Sequence, residues 1–168
     1  RQYLLLNLAI GGINGGPVDE TVFPMKYEID YVRVYQKEKK IVSGKVWRDI
    51  EGNVINTHGG GILFHQGIYY WFGEHRPESG FVTEKGVNCY SSVDLCKWKP
   101  EGIVLAVSGE EGADIEQGCI MERPKVIYNE KTGKFVMWFH LEKKGKGYSS
   151  ACAAVAVSDS PTGPYRFI

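Results

Sequence analysis

The 168-residue sequence carries 20 Lys and Arg against 20 Asp and Glu, so its formal net charge at pH 7 is zero. This balance argues against a nucleic-acid binder, because contacts to phosphate groups require a net basic face. Hydrophobic residues make up 43% of the chain, enough for the core of one domain, and no apolar stretch approaches the roughly 20 residues of a membrane-spanning helix.

Aromatic residues account for 12% of the chain and there are 21 glycines, a composition that favours strands and turns over helices. No C-x-x-C pair occurs among the four cysteines, Cys89, Cys96, Cys119 and Cys152. This spacing argues against a zinc site and favours buried free thiols over a disulfide. No cofactor is expected.

The first part of the chain is predicted to be the end of a β-domain. Residues 3–12 form an apolar run that ends in glycines, and residues 27–37 alternate in the manner of a half-buried strand. Two strands cannot bury a core by themselves, so residues 1–36 are interpreted as the remnant of a larger domain. The charged segment 37–42 is then a linker. The chain begins at Arg1 and not at Met, so we expect it to be part of a longer protein.

The remaining sequence contains one pattern twice. Residues 61–74 read GILFHQGIYYWFGE and predict a hairpin that turns at residues 65–67. Residues 124–142 predict a second hairpin that turns at residues 129–133. Each hairpin is followed by a third strand, a turn containing Ser and Asp, and a fourth strand. A four-stranded antiparallel unit of this kind is the blade of a β-propeller, so residues 43–168 are predicted to be all-β and to form two blades.

Two longer segments, residues 75–86 and 106–121, are predicted to be loops, and loops often carry function. Asp94 and Asp159 lie in the repeated Ser–Asp turns, where aspartate commonly closes a turn by bonding to nearby backbone. Both are therefore interpreted as turn residues and not as catalytic groups.

Four stretches resemble glycoside hydrolase family 43, in the order in which that family has them: residues 44–74, 89–102, 122–140 and 154–165. They are most similar to the branch that includes exo-acting galactan 1,3-β-galactosidases. The resemblance implies a five-bladed propeller with the active site at the mouth of its axis. Residues 43–168 would supply the first two blades.

Residues 1–36 resemble a different family. The stretches LLLNLAIGG and FPMKYEIDYVRVYQ are similar to the C-terminal end of glycoside hydrolase family 16, the laminarinase-like jelly-roll enzymes. The paired catalytic glutamates of that family lie in an E-x-D-x-x-E motif, which does not occur in this sequence. This part is therefore expected to carry no chemistry, and an upstream family 16 domain is expected in the same chain.

Family 43 enzymes are inverting hydrolases, which need a protonated carboxyl for the leaving oxygen and a second group that activates water. The resemblance places the general acid beyond Ile168. It assigns Glu122 to the active site, where it would tune the pKa of the acid or position the substrate. The alternative for Glu122 is an exposed salt bridge with Arg123 or Lys125, which would contribute little stability.

Glu74 follows an apolar strand and either caps a turn at the edge of the blade or points into the central channel. The resemblance favours the channel, with Glu74 as a ligand of a sugar hydroxyl. His58 matches the histidine of the family's A-H-G-G-G element, with Thr57 where alanine is usual. The three glycines that follow are expected to bring backbone close to the axis and leave room for a sugar.

The resemblance adds further candidates for substrate binding: Asn56, Gly60, His140 and Tyr148. Asn56 lies near the position of the aspartate base of many family 43 enzymes, and the galactosidase branch shares the absence of that aspartate. His140 is expected at the rim of the site, and its neighbour Trp138 in the core. No metal ligand is assigned, although some members of the family hold an ion on the axis.

The expected function is hydrolysis of O-glycosyl bonds in a plant or algal oligo- or polysaccharide by an exo-acting, inverting β-1,3-galactosidase. The chain by itself would be inactive, and the resemblance implies a secreted, periplasmic or cell-surface protein. Two alternatives stay open: a non-catalytic carbohydrate-binding propeller, and an arabinofuranosidase or xylosidase of the same family. A purely structural propeller would instead place Glu74 and Glu122 on its outer wall.

Overall fold

The computed structural model describes residues 16–24, 26–32 and 41–168, and the chain divides between Glu38 and Lys39 into two units. In the first unit, one short 3₁₀ helix spans Glu20–Val22. Asp19 caps its N-terminus, because its Oδ1 accepts a hydrogen bond from the backbone N of Thr21 at 2.9 Å. The apolar strand predicted for residues 3–12 lies outside the described residues.

The strand predicted for residues 27–37 is wrong in its described part. Residues 27–32 have no regular secondary structure, and all of them are exposed. Alternating apolar residues form a strand only when a neighbouring strand and a core take up one face, and a short isolated segment cannot supply these. The rest of this segment, residues 33–37, lies outside the described residues.

The second unit is all-β and consists of two four-stranded antiparallel sheets, each with its strands in chain order. The first sheet comprises β1 (His58–His65), β2 (Ile68–His75), β3 (Gly86–Ser92) and β4 (Lys99–Ala106). The second comprises β5 (Ile120–Asn129), β6 (Lys134–Glu142), β7 (Cys152–Ser158) and β8 (Arg166–Phe167). A 3₁₀ helix at Gly147–Ser150 precedes β7. Both predicted four-stranded units are therefore confirmed.

Among the described residues, no helix has the length and apolar character needed to cross a bilayer.

Local turn chemistry accounts for the hairpins. The β1–β2 turn consists of Gln66 and Gly67, whose φ angles of 49° and 83° are both positive, as a two-residue type I′ turn requires. Asp94 closes the β3–β4 turn as predicted, because its Oδ1 accepts hydrogen bonds from two backbone N–H groups that follow it. Asp159 also lies in a turn, but there Oγ of Ser158 accepts the hydrogen bond from the backbone N of Ser160, and Asp159 forms an ion pair with Lys134.

One cluster of buried side chains contains residues of both sheets. Phe72 and Val87 from the first sheet and Met121, Met137 and Leu141 from the second are all fully buried within it. These residues occupy alternate positions on their strands, which is the period-2 pattern of a sheet with one face in a core. The apolar residues of the repeated hairpins thus form a core that joins the two sheets.

The two sheets pack through their first strands, β1 and β5. Lys125 crosses this junction, with Nζ donating hydrogen bonds to the carbonyl oxygens of Gly59 at 3.3 Å and Gly60 at 3.0 Å. Directly before β8, the backbone N of Tyr165 donates to the carbonyl oxygen of Val104 in β4 at 2.7 Å. The sheets are therefore connected at both ends of their strand order.

All four cysteines are free thiols, as predicted. Cys89 and Cys119 are fully buried, whereas Cys96 is half-buried and Cys152 is exposed. Burial raises the pKa of the Cys119 thiol to about 11, so this thiol stays protonated at neutral pH. The prediction of buried thiols thus holds for two of the four residues.

Crowding within the protein explains the glycine triplet at the start of β1. Gly59 has a positive φ of 58°, a conformation that favours glycine. A Cβ added at Gly60 would lie 2.4 Å from both the carbonyl oxygen of Phe72 and Nε1 of Trp71. A Cβ added at Gly61 would lie 2.7 Å from Cδ of Lys125. Protein atoms therefore occupy the space that a side chain at Gly60 or Gly61 would need.

We predict that Gly60→Ala destabilises the intact protein by about 1–3 kcal/mol, the usual range for an extra group in a packed interior. Gly109→Ala is the matched control, because a Cβ at Gly109 would meet nothing within 4 Å. Urea denaturation of both variants measures the difference. Equal free energies of unfolding for the two variants would show that the contacts at Gly60 do not require glycine.

Candidate active site

Both sheets carry a bulge near the start of their first strand. The register of β1 against β2 shifts directly after His58, and that of β5 against β6 shifts directly after Glu122. The next residues, Gly59 and Arg123, have positive φ angles of 58° and 54°. Bulges change the direction of side chains and are common next to active sites. The same bulge in both sheets therefore makes this end of the strands the candidate site.

The bulges place His58 and Glu122 at equivalent positions in the two sheets. His58 pairs in register with Glu74, and Glu122 pairs with His140. Each sheet therefore pairs a histidine with a glutamate at this position. The histidine is on the first strand in the first sheet, and the glutamate is on the first strand in the second sheet.

His58, Glu74 and Glu122 line one open cavity of about 240 Å³, together with Gly59, Arg76 and Arg123. The volume lies below the roughly 300 Å³ at which pockets for drug-sized ligands begin, which suits a small polar ligand such as one sugar ring. Glu74 and Glu122 come from different sheets and face this shared cavity. A purely structural propeller would instead place both glutamates on its outer wall, and this is not observed.

Arg76 joins the two carboxylates. Its Nε donates a hydrogen bond to Oε2 of Glu74 at 2.6 Å, and its Nη2 donates to Oε1 of Glu122. The ion pair that Glu122 forms is therefore with Arg76, and not the alternative pair with Arg123 or Lys125. Arg76 is a residue that sequence reasoning missed. It lies two positions after Glu74, and residues two apart in a strand share a face. Because residues 75–86 are predicted to be a loop, this spacing does not by itself place Arg76 beside Glu74.

Glu74 is almost completely buried, with a relative exposure of 1%. Its Oε1 accepts a hydrogen bond from Oγ1 of Thr83 at 2.5 Å, and its Oε2 accepts from Arg76. Burial raises the pKa of Glu74, while the hydrogen bonds from Thr83 and Arg76 act in the opposite direction. Both carboxylate oxygens of Glu74 are thus already engaged with the protein.

Thr83 connects this carboxylate to the second sheet. The side chain is fully buried, and its Oγ1 accepts a hydrogen bond from the backbone N of Met121 at 2.8 Å. The backbone N of Thr83 donates to the carbonyl oxygen of Cys119 at 3.2 Å. The predicted loop between β2 and β3 is therefore anchored directly beside the start of β5, one residue before Glu122.

Asn56, predicted to bind substrate, holds the main chain of Arg76. Its Oδ1 accepts from the backbone N of Arg76 at 3.0 Å, and its Nδ2 donates to the carbonyl oxygen of Arg76 at 2.6 Å. The backbone of Asn56 is held in turn, since its N donates to the Tyr90 hydroxyl at 3.2 Å. The amide group of Asn56 therefore supports the cavity from behind its lining.

The other three predicted ligands do not line this cavity. Gly60 packs against Trp71, as described above. His140 has Nε2 2.9 Å from Oε1 of Glu142, and its ring centroid is 5.9 Å from that of Tyr148.

A second, larger cavity of about 470 Å³ lies beside His140 and Trp138. The prediction of a core position for Trp138 is wrong, because 49% of this residue is exposed. Arg123 lines both cavities and stands between them.

In the part of the chain that the structure describes, no group of three or more His, Cys, Asp and Glu residues is placed to hold a metal ion.

Comparison with solved structures connects this geometry to a family. The chain is 81% identical to a family 43 β-1,3-galactosidase solved with galactodeoxynojirimycin, with a TM-score of 0.75. The match covers 76% of this chain and 37% of that one. The chain belongs to glycoside hydrolase family 43.

Other family 43 structures match as well. The exo-β-1,3-galactanase of Phanerochaete chrysosporium, solved with β-1,3-galactotriose, is 38% identical with a TM-score of 0.71, over 77% of this chain and 29% of that one. The exo-β-1,3-galactanase of Clostridium thermocellum is 45% identical with a TM-score of 0.68, over 76% and 26%. The chain thus spans between 26% and 37% of the length of these family 43 proteins. No protein-family model and no curated protein matches it.

We predict that Thr83→Val lowers the free energy of unfolding by about 1–3 kcal/mol, because it leaves the N–H of Met121 and Oε1 of Glu74 without their buried partner. Thr132→Val, in the exposed β5–β6 turn, is the matched control and should change stability little. Thermal or urea unfolding of the intact protein checks both. If the two variants were equally stable, the buried hydroxyl would contribute nothing to the link between the sheets.

Proposed function

We propose that the protein containing this chain is an exo-acting, inverting β-1,3-galactosidase that hydrolyses plant or algal galactan. The observation that carries this proposal is the 81% identity to a family 43 β-1,3-galactosidase over 76% of the chain. Two further relatives are exo-β-1,3-galactanases, one of them solved with β-1,3-galactotriose. We extend their substrate class, β-1,3-linked galactose, to this chain.

The same proposal includes the architecture of the whole protein. The two sheets would be the first two blades of a five-bladed propeller, with β1 and β5 innermost and the cavity at the mouth of the axis. Residues 1–36 would be the end of a family 16 jelly-roll, joined through a linker at residues 37–42. A secreted, periplasmic or cell-surface location would follow from an extracellular polysaccharide substrate.

Within the site, Glu122 is the residue proposed to act on the reaction. One of its oxygens accepts a hydrogen bond from Arg76, and among the described residues no further hydrogen bond to its carboxylate is formed. Its Oε2 is thus available to accept a charge-assisted hydrogen bond from a sugar hydroxyl. An ionised carboxylate also raises the pKa of a neighbouring acid, which would keep the general acid protonated. The general acid itself would be contributed by another part of the protein.

The other cavity residues receive roles that follow from their contacts. His58 is exposed at the cavity and is proposed to bind substrate directly. Glu74 has both oxygens engaged, so its proposed contribution is to hold Arg76 and not to bind a sugar hydroxyl. His140 lines the second cavity and the Tyr148 ring lies beside it, and both are proposed to contact parts of the substrate farther from Glu122.

We predict that Glu122→Gln lowers kcat/KM of the intact protein on β-1,3-galactobiose roughly 10²-fold or more, the usual effect of removing a charged group from a transition-state site. Glu130→Gln, in the exposed β5–β6 turn, is the control and should behave as the wild type. Steady-state kinetics on galactobiose and on an aryl β-galactoside measure both. Unchanged turnover in Glu122→Gln would remove this residue from the site.

The pH profile separates the two proposed roles of Glu122. If its charge raises the pKa of the general acid, the loss of that charge moves the basic limb of the pH–rate profile to lower pH. If Glu122 positions substrate, KM rises and the limb stays in place. Binding of galactobiose by the wild type without hydrolysis would support a carbohydrate-binding propeller in place of an enzyme.

A further inference from the structure

We propose that Arg76 is a positioning residue of this site, which holds the carboxylate of Glu122 in its working orientation. The inference rests on the proposed function, because it concerns how Glu122 acts on a sugar. It assigns a role to a loop residue outside the repeated strands. The contacts of Arg76 with four side chains, those of Glu74, Glu122, Asn56 and Phe81, carry the argument.

The first step is the bridge itself. The Arg76 guanidinium donates through Nε to Glu74 of the first sheet and through Nη2 to Glu122 of the second. The side chains of Arg76 and Glu122 are each only 20% exposed, so this contact is shielded from solvent more than a surface pair. It occupies Oε1 of Glu122, a residue that lines the cavity, and leaves Oε2 without a hydrogen bond among the described residues. The contact therefore selects which oxygen a ligand would meet.

The second step is that Arg76 is itself held firmly. Asn56 bonds both to its backbone N, at 3.0 Å, and to its carbonyl oxygen, at 2.6 Å. The Phe81 ring lies with its centroid 5.8 Å from Cζ, within the range of a cation–π contact. The Nε–Glu74 bond of 2.6 Å fixes the plane of the guanidinium. The backbone of Arg76 is thus fixed by Asn56, and its side chain is restrained by Glu74 and Phe81.

The third step is that the network closes on itself. Glu74 accepts from Thr83 at 2.5 Å, and Thr83 accepts from the backbone N of Met121 at 2.8 Å. Met121 directly precedes Glu122 in β5. The chain of contacts thus runs from Glu122 through Arg76, Glu74 and Thr83 back to the backbone beside Glu122. Closed networks of this kind restrict all their members together.

The fourth step is electrostatic. Partial burial opposes the charge of Arg76, but its hydrogen bonds and attraction to Glu74 and Glu122 outweigh this effect and raise the pKa of the guanidinium. Arg76 is therefore a permanent cation between two carboxylates. A lysine would keep the charge but, as a compact point charge, would not reproduce the planar fork that reaches both partners.

The test uses Arg76→Met and Arg76→Lys in the intact protein, each alone and combined with Glu122→Gln, with β-1,3-galactobiose as substrate. We expect Arg76→Met to lower kcat/KM by about 10- to 100-fold, mainly through kcat, since small misplacements of an active group are costly. Arg76→Lys should recover part of this loss. Because Arg76 acts through Glu122, Arg76→Met should change activity less than about 3-fold in the Glu122→Gln background.

Arg166→Met, on exposed strand β8, is the matched control and should keep wild-type kinetics. A merely structural role would lower the unfolding temperature and leave the effects of Arg76→Met and Glu122→Gln on kcat/KM additive. Full additivity of the Arg76 and Glu122 effects, or wild-type kcat/KM in Arg76→Met, would overturn the inference. If Arg76→Met does not fold, Arg76→Lys provides the test. A lower kcat in Arg76→Lys, with no further decrease when the substitution is added to Glu122→Gln, supports the inference. A wild-type kcat in Arg76→Lys overturns it.

The same series separates this inference from the function on which it rests. If the intact wild type hydrolyses neither β-1,3-galactobiose nor an aryl β-galactoside, the proposed function fails and the role of Arg76 fails with it. If the wild type is active and Glu122→Gln is impaired, but Arg76 and Glu122 act independently, only the role of Arg76 is wrong.

Discussion

One guanidinium between two carboxylates organises the candidate site of this family 43 chain. Glu74 is 1% exposed, and an ionised carboxylate at that depth is costly unless it is paired and hydrogen-bonded. Arg76 and Thr83 meet that requirement, one on each oxygen. Since Arg76 also reaches Glu122, the contact that stabilises a buried acid in one sheet orients a more exposed acid in the other.

The repeated backbone explains how two similar sheets contribute differently. Each begins with a bulged strand, and each bulge sets an ionisable side chain at the same end of the strand order. His58 opposite Glu74 in one sheet corresponds to Glu122 opposite His140 in the other. The first sheet directs its carboxylate inwards as a support, whereas the second leaves its carboxylate at the cavity. The repeated backbone provides the scaffold, and the different residue types at equivalent positions divide the roles between the two sheets.

The residues behind the cavity matter as much as those that line it. Residue type alone does not single out Asn56 or Thr83. Asn56 bonds to Arg76 in the loop after β2, and Thr83 in that loop bonds to the backbone of Met121 in β5. The glycines after His58 admit Trp71 and Lys125 and thereby let β1 lie close to both β2 and β5. The shape of the cavity thus follows from how tightly protein atoms pack around it.

Local sequence determined the strands, the hairpins and most of the turns, because the period of two and the positive φ of residues such as Gly67 are properties of neighbours in the chain. It also singled out Glu122, Glu74 and His58, which the family resemblance placed at one site and the fold brings to one cavity. The short segment at residues 27–32 had the alternation of a strand but is irregular, because strand pairing depends on partners that a local pattern cannot supply.

Only the tertiary structure decided that Arg76 binds Glu122, that Asn56 holds the backbone of Arg76, and that Glu74 is buried with both oxygens engaged. The contacts of Asn56 with Arg76 and of Arg76 with Glu122 join residues 20 and 46 positions apart, the latter between the two sheets. Periodicity reports which face of a strand a side chain occupies, but the partner it meets is set by the packing of separate elements.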